Sequence, residues 1–342
     1  MLKFFMKVTL MHEMQQRILQ MLKTTAGGGY VSGEEIAARL GVSRTAIWKH
    51  IKALKDAGYN IVSHSRSGYQ LKDSPDLLLP QEIAPLLATG IIGRKIIHFD
   101  EIASSNEEAK RLAREGADDG TVVVAEAQDA GKGRLSRGWY SPHSKGIWFS
   151  VILRPTFLPQ EAPKCTLMSA VAIVRAAKHF NLDVGIKWPN DILSSDGKKL
   201  VGILTEMSAE MERINYVVIG TGINVNMSRE DFPDDVKDIA TSLSMIAGHT
   251  LSRVELFAEI LAAMDDLYQD VEKNGFRNVL DEWRRYSVTL GQEVNVIGVR
   301  ETFAGVAVDI DEDGALLIDT SEGRRRVLAG DVSIRPRKDK KE

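Results

Sequence analysis

The 342-residue chain contains a single cysteine, Cys165. It therefore has no internal disulfide framework and no cysteine-based zinc site, which suits a reducing compartment. No window approaches about 18 uninterrupted apolar residues, so no membrane span is expected. The stretch Met1 to Met11 is apolar, but Lys3 and Lys7 break it and no small-residue cleavage site follows. That makes a poor export signal, and a cytoplasmic location is expected. The seven histidines are scattered, and His98, His143 and His179 follow no ligand spacing. Neither HExxH nor a Ser/His/Asp nucleophile pattern occurs. A protein nucleophile is thus not expected, and a reaction run by clamping phosphates and carboxylates fits better.

Repeats and low-complexity runs are also lacking. The 44% apolar and 27% charged residues describe an ordinary globular chain. At about 100–200 residues per domain, two or three domains are expected.

The formal charge of −3 hides a division. Residues 1–72 carry eleven Lys and Arg against four Asp and Glu, a net of +7, leaving −10 for the remainder. A basic head on an acidic body points to a polyanion partner for the head.

Within the head, residues 12–24 predict a helix with apolar Met14, Ile18, Leu19, Met21 and Leu22, ended by the glycines Gly27 to Gly29. Ser32 precedes Glu34 and Glu35, and a short helix runs to Leu40 with Ile36, Ala37 and Leu40 inward. Gly41 makes a turn. Ser43 is the N-cap expected for a third helix with Ile47, Ile51 and Leu54 on one face. Asn60 to Leu71 reads as a hairpin around Ser65-Arg66-Ser67-Gly68. This pattern is a winged helix-turn-helix. Opposite the apolar face stand Ser43, Arg44, Thr45, Trp48, Lys49 and Lys52, with Arg66 in the wing. These are the candidate DNA contacts; the alternative is a solvated face in a protein-interaction domain.

A linker with Pro75, Pro80 and Pro85 leads to the body. Strands are expected at 95–99, 121–125, 147–153, 184–187, 201–206 and 216–224, and helices at 104–115, 165–180 and 253–274. So few helices between strands favour a mixed α+β sheet over a doubly wound one. Short strands at 293–297, 302–309, 315–319 and 324–328 predict a small C-terminal β-barrel.

Three body segments carry chemistry. Gly131-Lys132-Gly133-Arg134, followed by Arg137 and Trp139, is a glycine-rich cationic loop able to close over an anion, or else a surface turn. It has neither P-loop nor Rossmann spacing. Lys187-Trp188-Pro189-Asn190-Asp191 ends a strand, and Lys199 opens the next, where its ammonium would point into a pocket or simply face water. Gly220-Thr221-Gly222-Ile223-Asn224 breaks a strand with glycines, allowing close approach of a ligand or marking a bulge.

Together these segments resemble the biotin protein ligases, in particular the bifunctional kind that also represses the biotin operon. The resemblance spans about Gln15 to Pro336. It rests on GKGRLSRGW at 131–139, KWPND at 187–191, KKLVGILTE at 198–206, GTGINV at 220–225 and Ser104-Ser105-Asn106. One departure is Lys132, where the family usually has arginine.

The resemblance implies a winged helix-turn-helix over 1–75, a mixed-sheet α+β ligase core of the class II synthetase type over 76–285, and an SH3-like barrel over 286–342. It implies that biotin and ATP, with Mg2+, form biotinyl-5′-AMP, from which a lysine of the biotin carboxyl carrier protein takes the biotin. Ser104, Ser105, Asn106 and Gln128 would hold the ring and ureido group. Lys132, Gly133 and Arg134 would close over the carboxylate and phosphate, with Arg134 and Lys199 as the catalytic cations. Trp139 and Asn224 would meet the adenine side, and Lys187 and Asp191 would support the phosphate or metal region. A homodimer holding biotinyl-AMP would bind operator DNA of biotin genes. A lipoate-protein ligase and a biotin-sensing regulator without ligase activity remain the alternatives.

Overall fold

The computed structural model describes residues 14–25, 29–298, 301–330 and 333–336. The expectations for Met1 to Met11, for residues 12 and 13 and for Gly27-Gly28 lie outside these. The chain forms two compact units that part between Asp76 and Leu77.

The first unit contains α1 (14–24), α2 (Gly33–Leu40) and α3 (Arg44–Asp56), followed by β1 (Asn60–His64) and β2 (Gly68–Asp73) paired as an antiparallel hairpin. Ser32 and Ser43 cap α2 and α3 by accepting the N–H groups of Glu35 and Ala46. Gly41 ends α2 at φ +65°, a left-handed conformation that glycine adopts without strain. Ile18, Leu19, Leu22, Ile36, Ile47, Ile51, Leu54 and Ile61 are buried, as the helical spacing requires. Leu40 is only half-buried.

The second unit begins earlier than its prolines imply. Pro80 starts a single turn, α4 (Pro80–Ile83), and Leu78 and Ile83 are fully buried in the core of the body. Only the short stretch before Leu78 therefore acts as a linker.

Next come β3 (Ile96–Ile102), α5 (Ser105–Arg114), β4 (Thr121–Gln128), β5 (Gly146–Leu153), α6 (Lys164–His179), β6 (Val184–Lys187), β7 (Asp191–Ser194), β8 (Lys199–Glu210) and β9 (Arg213–Asn224). After these follow α7 (Leu243–Ala247), α8 (Arg253–Asn274) and α9 (Arg277–Tyr286). The seven strands form one mixed sheet in the order β3-β4-β5-β9-β8-β7-β6, with β3 and β4 parallel and the other pairs antiparallel. Every residue of β5 is buried, as a central strand covered on both faces must be. α6 is apolar almost all round and packs with α8 and α9 behind the sheet. α5 lies against β4, β5 and β9. The mixed α+β reading therefore holds.

The tail forms β10 (Glu293–Ile297), β11 (Thr302–Ile310), β12 (Leu316–Thr320), β13 (Gly323–Val327) and β14 (Ser333–Pro336). They make an antiparallel sheet in the order β13-β12-β11-β10-β14. The expected barrel does not close: among the described residues its edge strands, β13 and β14, do not pair with each other. The sheet instead buries Val294, Val296, Ala307, Leu316, Ile318 and Ile334 in one continuous core with the seven-stranded sheet and its helices. Its apolar face is thus covered without curling on itself.

Candidate active site and nucleic-acid face

A cleft of about 1010 Å³ opens beside the central sheet of the second unit. Ser104, Ser105, Asn106, Gln128, Lys132, Gly133, Arg134, Trp139, Lys187, Asp191, Lys199 and Asn224 all line it. The body residues singled out from the sequence, spread over 121 positions from Ser104 to Asn224, thus converge on one cavity.

Its polar end is built at the start of α5. Ser104 is the N-cap, yet its side chain makes no cap bond. The Ser105 N–H donates instead to Gln128 Oε1 at 2.7 Å, and Gln128 Nε2 donates to Ser141 Oγ at 3.0 Å. Asn106 is buried and held on three sides. Ser150 Oγ lies 2.6 Å from its Oδ1, and its Nδ2 donates to Glu206 Oε2 at 2.9 Å and to Leu204 O at 3.3 Å. Ser150 Oγ is also 2.8 Å from Ser105 Oγ. Ser150 carried no signal in the sequence, being a lone serine in an apolar strand, and Glu206 stood there only as the last residue of KKLVGILTE, with no role assigned.

The glycines of β9 explain themselves here. A Cβ at Gly220 would lie 1.8 Å from Asn106 Oδ1, and one at Gly222 would lie 2.2 Å from Trp139 Nε1. β9 passes both in unbroken register with β5 and β8, so there is no bulge at either position. The space is filled by Asn106 and Trp139, side chains of the chain itself. Gly202 serves the same indole, its Cβ position being 2.8 Å from the ring.

Five cations line the cleft, Arg137 with the four whose settings follow. Lys199 Nζ is 2.7 Å from Asp191 Oδ1 and 5.3 Å from the Trp139 ring centroid. The pair is a charge contact only, since Asp191 Oδ1 has no hydrogen bond of proper geometry. The backbone of Lys199 donates to Ile239 O and accepts from Thr241, fixing where its side chain begins. Arg134 Nη1 donates to Asn190 Oδ1 at 2.9 Å, while Nη2 donates to the carbonyls of Ala329 and Gly330. Lys132 lies at the rim, 2.6 Å from Glu107 Oε1. Lys132 and Lys110 together hold the Glu107 carboxyl below its usual range. Lys187 ends β6 at the cleft wall. Among the described residues no group of three or more His, Cys, Asp or Glu side chains is placed to hold a metal ion.

The far wall went unread in the sequence. Met227, Phe232, Val236 and Ala240 gather with Trp139 around buried Trp148, and Asn224 Nδ2 donates to Thr241 O at 3.1 Å to tie this wall to β9. Its apolar residues have neither strand nor helix period, so nothing marked them as a surface for a flat ring.

In the first unit, Arg44, Thr45, Trp48, Lys49 and Lys52 are all exposed along one side of α3, opposite the buried Ile47, Ile51 and Leu54. Trp48 is 55% exposed, which is unusual for an indole, and Lys52 Nζ lies 6.0 Å from its ring. Arg44 makes an exposed ion pair with Glu34 at 3.3 Å. Arg66 is exposed between β1 and β2. Ser43 is exposed as well, with its hydroxyl accepting the Ala46 N–H.

Comparison with known proteins agrees with this division. Residues 100–224 match the Biotin/lipoate A/B protein ligase family, residues 14–70 an HTH domain and residues 289–335 the Biotin protein ligase C terminal domain. The chain is 42% identical to the Bifunctional ligase/repressor BirA of Bacillus subtilis over 92% of its own length and 96% of the relative's. It is 30% identical to the Escherichia coli protein of the same name, over 93% and 97%. The biotin protein ligase from Aquifex aeolicus in complex with biotin and ATP superposes with a TM-score of 0.63 at 29% identity, over 71% of this chain and all of that one. With such identity to ligase/repressors over nearly its whole length, on a fold and a cleft of this kind, the chain belongs to the family of bifunctional biotin protein ligases.

Proposed function

We propose that the protein is an ATP-dependent biotin protein ligase that forms biotinyl-5′-AMP and passes the biotin to a lysine of the biotin carboxyl carrier protein. The observation that carries the reading is the convergence of Lys132, Arg134 and Lys199 on one cleft that also holds the polar cradle of Ser105, Asn106 and Gln128. A ligand that joins a polar ring to a carboxylate matches those two sets of groups. Ser104, Ser105, Asn106 and Gln128 take the ring and ureido end, and Lys132, Gly133 and Arg134 the carboxylate.

In the first step a biotin carboxylate oxygen bonds to the α-phosphorus of ATP. The bond to the bridging oxygen breaks, and pyrophosphate leaves. Two anions must approach, and charge grows on the non-bridging oxygens. Arg134 and Lys199 supply fixed positive charge at that point. Trp139 and Asn224, with the apolar wall from Met227 to Ala240, take the adenine side. In the second step the carrier lysine's amine attacks the mixed-anhydride carbonyl, AMP leaves and an amide forms. A loop closed over the cleft keeps water from the anhydride.

Mg2+ belongs to this scheme as part of the ATP substrate. Asp191, with Lys187 nearby, is the one protein carboxylate assigned to it, which fits a metal that enters through phosphates and retains its waters.

The three modules divide at 1–75, 76–285 and 286–342 in this reading, in a cytoplasmic protein. Through Ser43, Arg44, Thr45, Trp48, Lys49, Lys52 and Arg66 the head binds operator DNA of biotin genes, as a homodimer holding biotinyl-AMP. No helix among the described residues is long and apolar enough to cross a membrane.

The test is transfer of labelled biotin to an acceptor domain with ATP-Mg, in parallel with lipoate, and a gel shift on biotin-operon DNA with and without biotin. Biotin transfer with no lipoate transfer is expected. Transfer of lipoate alone, or biotin binding without transfer, refutes the ligase assignment.

A further inference from the structure

The KWPND motif contains a residue given no role so far, Asn190. It is 9% exposed and doubly pinned to β8: its backbone oxygen accepts the Ile203 N–H at 3.0 Å, and its Nδ2 donates to Ile203 O at 2.9 Å. An asparagine side chain has one oxygen acceptor and one NH2 donor. With the NH2 committed to a β8 carbonyl, the amide cannot be flipped without losing that bond. Its Oδ1 is thereby aimed at the Arg134 guanidinium, where it accepts from Nη1 at 2.9 Å. Arg134 itself sits on a single 3-10 turn in the glycine loop, next to Leu135 in a left-handed conformation, a segment with little regular structure of its own. The same guanidinium donates through Nη2 to Ala329 O and Gly330 O.

We propose that Asn190 is a positioning residue for the adenylation step, its Oδ1 fixing the orientation of the Arg134 guanidinium across the cleft from β8. A planar guanidinium acts only when its fork faces the charge it stabilises. One neutral acceptor on a rigid strand selects that plane while leaving the cation's charge intact. The carbonyls of residues 329 and 330 accept from the other side, so an arginine on a segment with little regular structure is gripped from two directions. The proposal rests on the ligase reading, because the effect is read through adenylate formation.

The experiment is a double-mutant cycle in the full chain, following single-turnover formation of biotinyl-AMP. Asn190→Ala should lower the rate roughly 10- to 100-fold, the scale set by an ångström of misplacement. In an Arg134→Ala background the same change should lower it by less than about threefold, the two acting as one unit. Asn190→Asp keeps the acceptor for Arg134 but loses the donor to Ile203 O, as alanine does. It should keep a rate within about tenfold of wild type even where its thermal stability matches that of Asn190→Ala. Equal losses from Asn190→Ala in both backgrounds overturn the proposal, as do equal rates for the aspartate and alanine variants. If the alanine variant fails to fold, the aspartate variant alone decides, and a rate as low as that of Arg134→Ala refutes the role. A wild-type chain that forms no adenylate at all overturns the ligase reading, and this assignment with it.

Discussion

Replacing Gly220 by alanine is the sharpest test of how the cleft is built. The added Cβ would lie 1.8 Å from Asn106 Oδ1 and 2.5 Å from its Cγ, so the asparagine must leave its seat. Neither neighbour can yield easily, because Gly220 is central in β9 between β5 and β8, and Asn106 opens α5. Moving Asn106 breaks its hydrogen bonds to Ser150 and Glu206 and the longer one to Leu204 O. A neutral hydrogen bond contributes about 0.5–1.5 kcal/mol and one to a charged group about 1.5–3 kcal/mol. With incomplete loss of each, Gly220→Ala should destabilise the second unit by about 2–4 kcal/mol, in the range of core overpacking. Its thermal midpoint should fall by roughly 4–16 °C at about 2–4 °C per kcal/mol. Biotin binding should weaken more than ATP binding, since the proposed function assigns Asn106 to the biotin ring. The decisive control is Gly220→Ala with Asn106→Ala. Its midpoint should match that of Asn106→Ala alone, because the steric conflict is gone and the same hydrogen bonds are already lost, and biotin affinity should not recover. Differential scanning calorimetry and isothermal titration read the two quantities. A Gly220→Ala midpoint within 1 °C of wild type with unchanged biotin affinity would refute the reasoning.

Four further outcomes follow from the same contacts. Arg134→Ala and Lys199→Ala should each slow adenylation by about 2–4 kcal/mol of activation free energy, the cost of one preorganised donor, and rates close to wild type would remove them from the mechanism. Glu126 and Arg253 are fully buried and paired at 2.9 Å, so Glu126→Gln should destabilise by about 3–5 kcal/mol at neutral pH. Burial pushes the Glu126 carboxyl up, but His98, Arg253 and the Leu78 N–H outweigh it and hold it low. Its stabilisation is therefore complete above the unfolded carboxylate range and is lost as pH falls through the lowered folded value, so the gap to Glu126→Gln should narrow in acid; a gap that widens there reverses the sign. In the head, Arg44→Ala or Lys49→Ala should weaken operator binding and reduce the salt slope by about one, leaving biotin transfer unchanged, and an equal loss of transfer would count against an independent DNA-binding role.

What could be read from the sequence was local. The bounds of α8 and β10 agree with expectation, because Ser252 caps one and alternating valines mark the other. The caps at Ser32 and Ser43 and the left-handed Gly41 were equally legible, each depending on a few adjacent residues. Elements without such marks were missed. α9 has no side-chain cap, and β7 is four residues hidden inside KWPND and its continuation. Lys132 and Arg134 were found from composition around glycine, and Lys187 and Lys199 from their places at strand ends. Their partners were not, since Asn190 lies 56 positions from Arg134 and Glu206 lies 100 from Asn106. The same limit explains the unclosed barrel: nothing local in the tail says that its apolar face will be covered by the rest of the unit rather than by itself.

The way the cations are held bears on how an acidic body receives anionic substrates. Lys132 meets Glu107 at the exposed rim, where a pair of this kind is weak and easily exchanged for a ligand's carboxylate. Lys199 meets Asp191 deeper in, and an anion sharing that ammonium would bring two negative groups together. In the proposed reaction this repulsion selects for an anion that carries its own cation. Under the proposed function, Asp191 would face the magnesium that ATP brings and leave Lys199 to the phosphate, whereas a bare carboxylate would leave the aspartate facing like charge. Arg134 also meets neutral oxygens, those of Asn190, Ala329 and Gly330. Under the proposed function, Lys132 and Lys199 thus offer an anion two different settings, each set by the carboxylate that the cation already touches.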